Sequence, residues 1–404
     1  MKKTLVILSF FTLIMYPAFA ETSFSAYLGT AATLIAGDNL ENSDTTAGNA
    51  IIFGRIQATA QNEEGTVGGL VRIMAGHNLP LDRPLDRALR RAPYAYAWWK
   101  PTEQVRLQLG FIDSFSVSDI VNWYYHANDV EDLIAAAAYH YTGFDWNNPF
   151  LRSTGFYDGT WWYGASLSIN PIKPLFLNFA IPYPLGEENA EKAIDVYRRI
   201  HAQIRYTVGD LGRLAFTYKG GEEFFGIMNA DNYSNSPESM NDFLIDPYTL
   251  STLYGSFYLF GLLENFEFNI GAGYSLPISN GDVDYYPPVQ LGLGIGYEHG
   301  NFTLKSRLGV TFAGSLRSEG IRVDDPLRLG FGILPSYDFD AFRGYLNMGF
   351  TYIDDSSVFN WHVNPYVAKR IESCMVFLGF NLQHYDGSEK RTVWAISTAI
   401  TYEF

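Results

Sequence analysis

The sequence predicts an all-β fold: a transmembrane antiparallel β-barrel of about 16–18 strands, with short turns at one end and long loops at the other. Three observations predict it. Polar and apolar residues alternate with a period of two, many times over. The links between the alternating segments are alternately short and long. After residue 20 there is no run of eighteen apolar residues, although 47% of the chain is hydrophobic, so a spanning helix is excluded and spanning strands are not.

The alternation is clearest in three places. Val105, Leu107, Leu109 and Phe111 oppose Gln104, Arg106, Gln108 and Gly110. Ile200, Ala202, Ile204, Tyr206 and Val208 oppose Arg199, His201, Gln203, Arg205 and Thr207. Phe302, Leu304, Leu308, Val310 and Phe312 oppose Thr303, Lys305, Arg307 and Gly309. One apolar face and one face carrying Arg and Gln suit lipid outside and water inside. Segments of this kind begin near residues 22, 48, 66, 92, 104, 157, 174, 197, 213, 250, 265, 288, 302, 326, 343, 359, 373 and 391. Short links fall at 62–65, 100–103, 170–174, 209–212, 264–265, 299–301, 338–342 and 370–373. Longer ones fall at 37–47, 77–91, 114–156, 183–196, 222–249, 276–287 and 314–325, with two brief ones at 354–358 and 386–390. Short periplasmic turns and longer extracellular loops follow from this pattern, and an even strand number puts both ends of the barrel on the periplasmic side.

Residues 1–20 have the three parts of a cleaved export signal. Lys2 and Lys3 precede an apolar stretch from Leu5 to Tyr16, and Ala18-Phe19-Ala20 is a small-x-small cleavage site. The mature barrel is then residues 21–404, one domain. Its single cysteine, Cys374, rules out an internal disulfide. A formal net charge of -15 argues against nucleic acid as a partner. The acids gather in the long links, as in Glu187, Glu188, Glu191, Asp282, Asp284, Asp324 and Asp325. They have no cation-cage spacing, so they read as solvated loop faces rather than a metal site.

The charged strand positions are mostly basic. Alternation assigns Arg55, Arg72, Arg106, Arg199, Arg205, Arg213, Lys219, Lys305, Arg307 and Arg328 to the polar face. Glu267 and Glu403 are the clearest strand acids. A base facing lipid at the midplane costs about 2–4 kcal/mol, so these residues belong to the lumen. The longest link, 114–156, holds a helix-like stretch capped by Asn128, with Asp129, Glu131 and Asp132 in its first turn. Bases on the wall opposite those acids would set a transverse field across a constriction. The other reading is a packed lumen in which these charges form ion pairs.

Aromatic clusters near strand ends, such as Tyr94, Tyr96, Trp98 and Trp99, read as interface girdles. Enzyme motifs are scarce: there is no HExxH, no GxSxG and no paired CxxC. No cofactor is expected.

Three local features carry a family resemblance. The chain ends in an alternating strand whose outer face holds Trp394, Ile396, Ile400, Tyr402 and Phe404. This resembles the C-terminal signal of bacterial outer-membrane barrels. The link after the fifth strand is the longest, which resembles the pore-narrowing loop of classical porins in position and relative length. Ala97-Trp98-Trp99-Lys100-Pro101 is similar to strand-turn segments of spirochaete outer-membrane proteins. The resemblance implies a cell outer-membrane location, assembly by the barrel machinery through the strand ending in Phe404, and a homotrimer. It also implies passive diffusion of small hydrophilic solutes or ions. Three alternatives stay open: a fatty-acid-like transporter, a surface adhesin or structural barrel, and an enzyme with a site at the rim. The first needs an N-terminal hatch, and little sequence precedes the first strand at Thr22.

Overall fold

The computed structural model describes residues 21–38, 49–79, 94–112, 162–182, 200–220, 251–275, 278–280, 283–286, 289–312, 314–318, 321–325, 327–354, 358–386 and 390–403. Eighteen strands form one closed antiparallel sheet. In chain order they are β1 (Glu21–Asp38), β2 (Asn49–Gln61), β3 (Val67–Leu79), β4 (Tyr94–Thr102), β5 (Val105–Ile112) and β6 (Trp162–Ile172). Then come β7 (Leu175–Pro182), β8 (His201–Val208), β9 (Gly212–Gly220), β10 (Ser251–Leu263) and β11 (Phe266–Ser275). The rest of the barrel is β14 (Val289–His299), β15 (Phe302–Thr311), β18 (Arg328–Asp338), β19 (Arg343–Ile353), β20 (Val358–Ile371), β21 (Cys374–Asp386) and β22 (Lys390–Glu403). Each barrel strand pairs with its neighbours in sequence, and β1 closes the ring on β22, with Ala31 opposite Ala399. Closure removes the exposed edges that an open sheet of this size would present.

The eight tight connections all lie at one end, as the sequence predicts. Their local chemistry explains them. Gly65, Gly209 and Gly300 take positive φ in three of these turns. Asn265, Asp340 and Glu372 take it in three others without being glycine. In the first turn Asn62 accepts from the Val67 amide through Oδ1 and donates to Thr66 Oγ1. Glu21 pairs with Gln61 in register, so β1 starts at this same end.

The two faces of the wall separate by burial. Phe24 (77% exposed), Phe216 (62%) and Ile56 (61%) lie on one face. Ala31, Thr33, Ala395, Ser397 and Ala399 lie buried on the other. Side chains converge inside a barrel and diverge outside it, so the apolar exposed face is the outer one. In a lipid environment this face needs no other cover.

A second sheet was not legible as such. β12 (Ile278–Asn280), β13 (Val283–Tyr286), β16 (Gly314–Ser318) and β17 (Ile321–Asp325) form a separate antiparallel sheet in that order. They occupy the links 276–287 and 314–325, at the end opposite the tight turns. The sequence-based reading has these as loops. Runs of three to five residues, bounded by Pro277, Pro287, Pro288 and Pro326, lack the length that marks a strand.

Candidate functional site: the lumen wall

Register places the polar positions of neighbouring strands side by side on the inner face. Arg55 sits opposite Tyr27, Arg72 opposite Gln57, and Arg106 opposite Ser168. Arg205 sits opposite Phe176, Arg213 opposite Tyr258, and Lys219 opposite His201. Lys305 and Arg307 face Gly296 and Gly294, and Arg328 faces Thr311. These positions share the phase of the buried inner face. Arg199 lies outside the described residues, as do Asp129, Glu131, Asp132 and the whole link 114–156. The helix and constriction expected there are therefore not on view.

Most of the arginines are held against aromatic rings on the same wall. The guanidinium carbon lies 4.1 Å from the Phe176 ring centroid for Arg205 and 5.3 Å from the Trp98 centroid for Arg106. Arg55 lies 5.5 Å from Tyr27, and Arg213 lies 5.8 Å from Tyr258. Arg343, which the alternation did not single out, lies 5.4 Å from Tyr345. It also donates to Thr303 Oγ1 and Ser336 Oγ, each at 3.1 Å. Arg72 donates from Nε to Gln57 Oε1 at 2.9 Å. A ring face attracts a cation by about 0.5–2 kcal/mol and accepts little hydrogen bonding. It therefore helps to fix the guanidinium along the wall.

Trp98 can lie flat only because its partner across the ladder is Gly68. A Cβ there would come within 2.2 Å of Trp98 Cζ2. Gly349 makes the same room for His362, which it faces in register.

Charge is mixed at the turn end of the wall, where Arg106, Arg213 and Arg343 open their strands beside the tight turns. The inner-face acids Glu21, Glu267, Glu298, Asp338 and Glu403 sit at strand ends beside the tight turns. Arg55, Arg72, Arg205, Lys305 and Arg307 sit further in along their strands. Arg307 is only 1% exposed. A solute does not touch it in this conformation.

The lumen is also lopsided. Ala31, Leu334, Tyr366, Ala368, Phe377 and Ala399 pack into one buried cluster inside β18 to β22 and β1, with Tyr345 and Met375 against it. Tyr345 and Tyr366 stack with centroids 4.4 Å apart. Above it runs a polar lattice: His362 meets Asn347 at 3.3 Å, and Asn381 donates to Ser397 at 3.5 Å. This packed sector takes up room on one side. Of the aromatic-backed arginines, Arg106, Arg205 and Arg213 lie outside this sector on β5, β8 and β9, Arg55 lies beside it on β2, and Arg343 lies within it on β19. Among the described residues no group of three or more His, Cys, Asp or Glu is placed to hold a metal ion.

No protein-family model matches the sequence, and no curated protein matches it. Solved structures match over nearly the whole chain. The Pseudomonas aeruginosa channel OccK2 (OpdF) in complex with glucuronate matches with a TM-score of 0.57 at 13% identity, over 96% of this chain and 99% of that one. A BenF-like porin from Pseudomonas fluorescens gives 0.56 at 10% identity, over 96% and 99%. Pseudomonas aeruginosa OccK1 (OpdK) gives 0.53 at 10% identity, over 96% and 100%. At such identities the likeness concerns backbone architecture. The chain has the fold of a bacterial porin, a closed 18-stranded antiparallel barrel.

Proposed function

We propose that this chain is an outer-membrane porin that passes small hydrophilic solutes or ions by passive diffusion, with a preference for anions. The observation that carries this reading is the set of inner-wall arginines held against aromatic rings in a closed barrel of eighteen strands. Barrels of about sixteen to eighteen strands leave an aqueous channel rather than a filled core. A fixed positive wall raises the local concentration of anions and lowers that of cations.

Two structural neighbours support the solute class. OccK2 was solved with glucuronate and OpdK with vanillate, and both ligands carry a carboxylate. A carboxylate accepts from guanidinium donors of the kind this wall presents. The reading is of a channel, not an enzyme.

Several finer points belong to the same proposal. Residues 1–20 are removed on export, on the strength of the Ala18-Phe19-Ala20 site. The segment 114–156 narrows the pore with Asp129, Glu131 and Asp132. The strand ending in Phe404 engages the barrel-assembly machinery, and the working unit is a homotrimer, as in classical porins. A spirochaete lineage rests on residues 97–101 alone.

Ion selectivity tests the core of it. In planar bilayers under a salt gradient, the reversal potential should report anion preference. Replacing Arg55, Arg106 and Arg205 together by Gln should move it toward cations. An unmoved potential removes these residues from the selectivity mechanism.

A further inference from the structure

The inner wall of β11, β14, β15 and β18 is floored with glycine. Gly271 faces Gly292, Gly292 faces Gly309, and Gly309 faces Gly330, so one row crosses four strands without a side chain. Gly273, Gly294, Gly296 and Gly332 hold neighbouring inner positions on the same strands. With strands about 4.8 Å apart, the bare row is about 14 Å wide. Glycine weakens a strand, and it marks places where a ligand or another backbone comes close.

Two polar side chains stand at the β10 edge of this floor. Asn269 on β11 is 3% exposed, and neither its Oδ1 nor its Nδ2 has a hydrogen-bond partner. Ser256 on β10 is 7% exposed, and its Oγ has none either. Ser256 faces Gly271 and Tyr258 faces Asn269, so Ser256 and Asn269 are diagonal neighbours on the inner face. Diagonal neighbours lie within reach of one small molecule. On the other side of Asn269 is Gly294, which offers no side chain. The Tyr258 ring lies 5.3 Å from Phe260 and 5.8 Å from the Arg213 guanidinium carbon. Buried amides elsewhere on the wall find partners, as Gln203 does in Thr217 and Asn381 in Ser397. An amide stripped of water at both ends is costly unless something else donates to it and accepts from it.

We infer that Asn269 and Ser256 form a subsite for the hydroxyl groups of a sugar-like solute, whose ring lies on the glycine floor. The inference rests on the porin reading above and names the neutral part of the solute it passes. The chemistry follows from what is unmet. A carboxamide offers an acceptor and a donor side by side, the complement of two neighbouring hydroxyls. The Ser256 hydroxyl, which both donates and accepts, serves a third. A carboxylate would meet Asn269 Nδ2 and leave Oδ1 unmet, and an apolar ring would meet neither. Bare glycine backbone lets a ring approach where a Cβ would hold it off. Both polar side chains are covered in this conformation. Tyr258, next to both on the inner face, is the described side chain whose turning would admit a solute.

The test titrates D-glucose against the folded full barrel and reads binding by saturation-transfer NMR. D-glucose is neutral, so the wall arginines add no charge attraction. Conduction of the same preparation in potassium chloride is read separately in planar bilayers. Wild type should bind glucose. Asn269→Leu, which keeps the volume and removes both amide groups, should weaken binding about tenfold, the worth of one or two hydrogen bonds. Ser256→Ala should weaken it several-fold, and so should Gly292→Val, which fills the floor and leaves both polar groups in place. Ser166→Ala, on the inner face of β6, should change nothing. No binding by wild type, or equal binding by wild type and Asn269→Leu, would overturn the inference and leave water as the partner of the amide. A barrel that conducts without binding glucose loses the subsite and keeps the porin reading. A barrel that does not conduct loses the porin reading, whatever glucose does. Should Asn269→Leu not fold, Ser256→Ala and Gly292→Val decide the matter, and unchanged binding in both would overturn the inference.

Discussion

At the scale of single residues, the wall works through pairs. Arg205 lies on Phe176, Arg106 on Trp98 and Arg55 on Tyr27. Removing one ring should loosen its guanidinium without removing the charge. Phe176→Leu is therefore expected to leave reversal potential nearly unchanged while increasing current noise in single-channel records. Arg205→Gln should do the opposite, shifting the potential and leaving the open level quiet. Gly68→Ala is a packing test. With Trp98 so close, the added methyl forces the ring off the wall, at about 1–3 kcal/mol for overpacking. Urea titration of the folded barrel checks this, and a midpoint equal to wild type would show that Trp98 moves freely. The inner positions of Arg55, Arg72, Arg106, Arg205, Arg213, Lys305 and Arg307 were legible because strict alternation leaves no other face for them. Arg343 was not singled out, since it opens its strand beside a turn where alternation has barely begun. The lattice of His362, Asn347 and Asn381 was missed as well. Single polar residues in largely apolar strands give no periodic signal.

Among the elements, the tight turns show how local chemistry sets register. Glu372 holds φ 54° with a side chain that makes this region unfavourable by about 1 kcal/mol. Glu372→Gly should raise stability by up to about that amount, read as a later urea midpoint, because the turn is already in a glycine conformation. Strand starts from Thr22 to Arg391 were legible within a few residues, since long alternating segments carry their own phase. The four short strands beyond the rim were not. Their pairing joins residues of two separate links, Asp284 with Arg317 for example, and no local pattern announces a partner that far away. The closing pair, β1 with β22, is equally non-local, although the alternating C-terminal strand marks one half of it. Deleting Phe404 should slow appearance of folded barrel in cells. The conductance of whatever does fold should be unchanged, because alternation puts Phe404 in phase with the outer face, away from the pore.

For the whole molecule, closure and composition act together. Eighteen strands, each paired to the next along the barrel and the first closed on the last, leave no unpaired edge, and the apolar outer face finds its solvent in lipid. The interior then holds a packed sector inside β18 to β22 and β1, and arginines distributed around the wall. Alternation and turn spacing made the barrel legible. The lopsided interior was not, because it depends on which inner residues meet across a curved wall: Leu334, Tyr366 and Phe377 come from three different strands. The central claim is that this barrel conducts, and single-channel recording of the refolded residues 21–404 in planar bilayers tests it most directly. The account predicts discrete, steady steps carried mainly by anions. Silence from correctly folded barrels would contradict it.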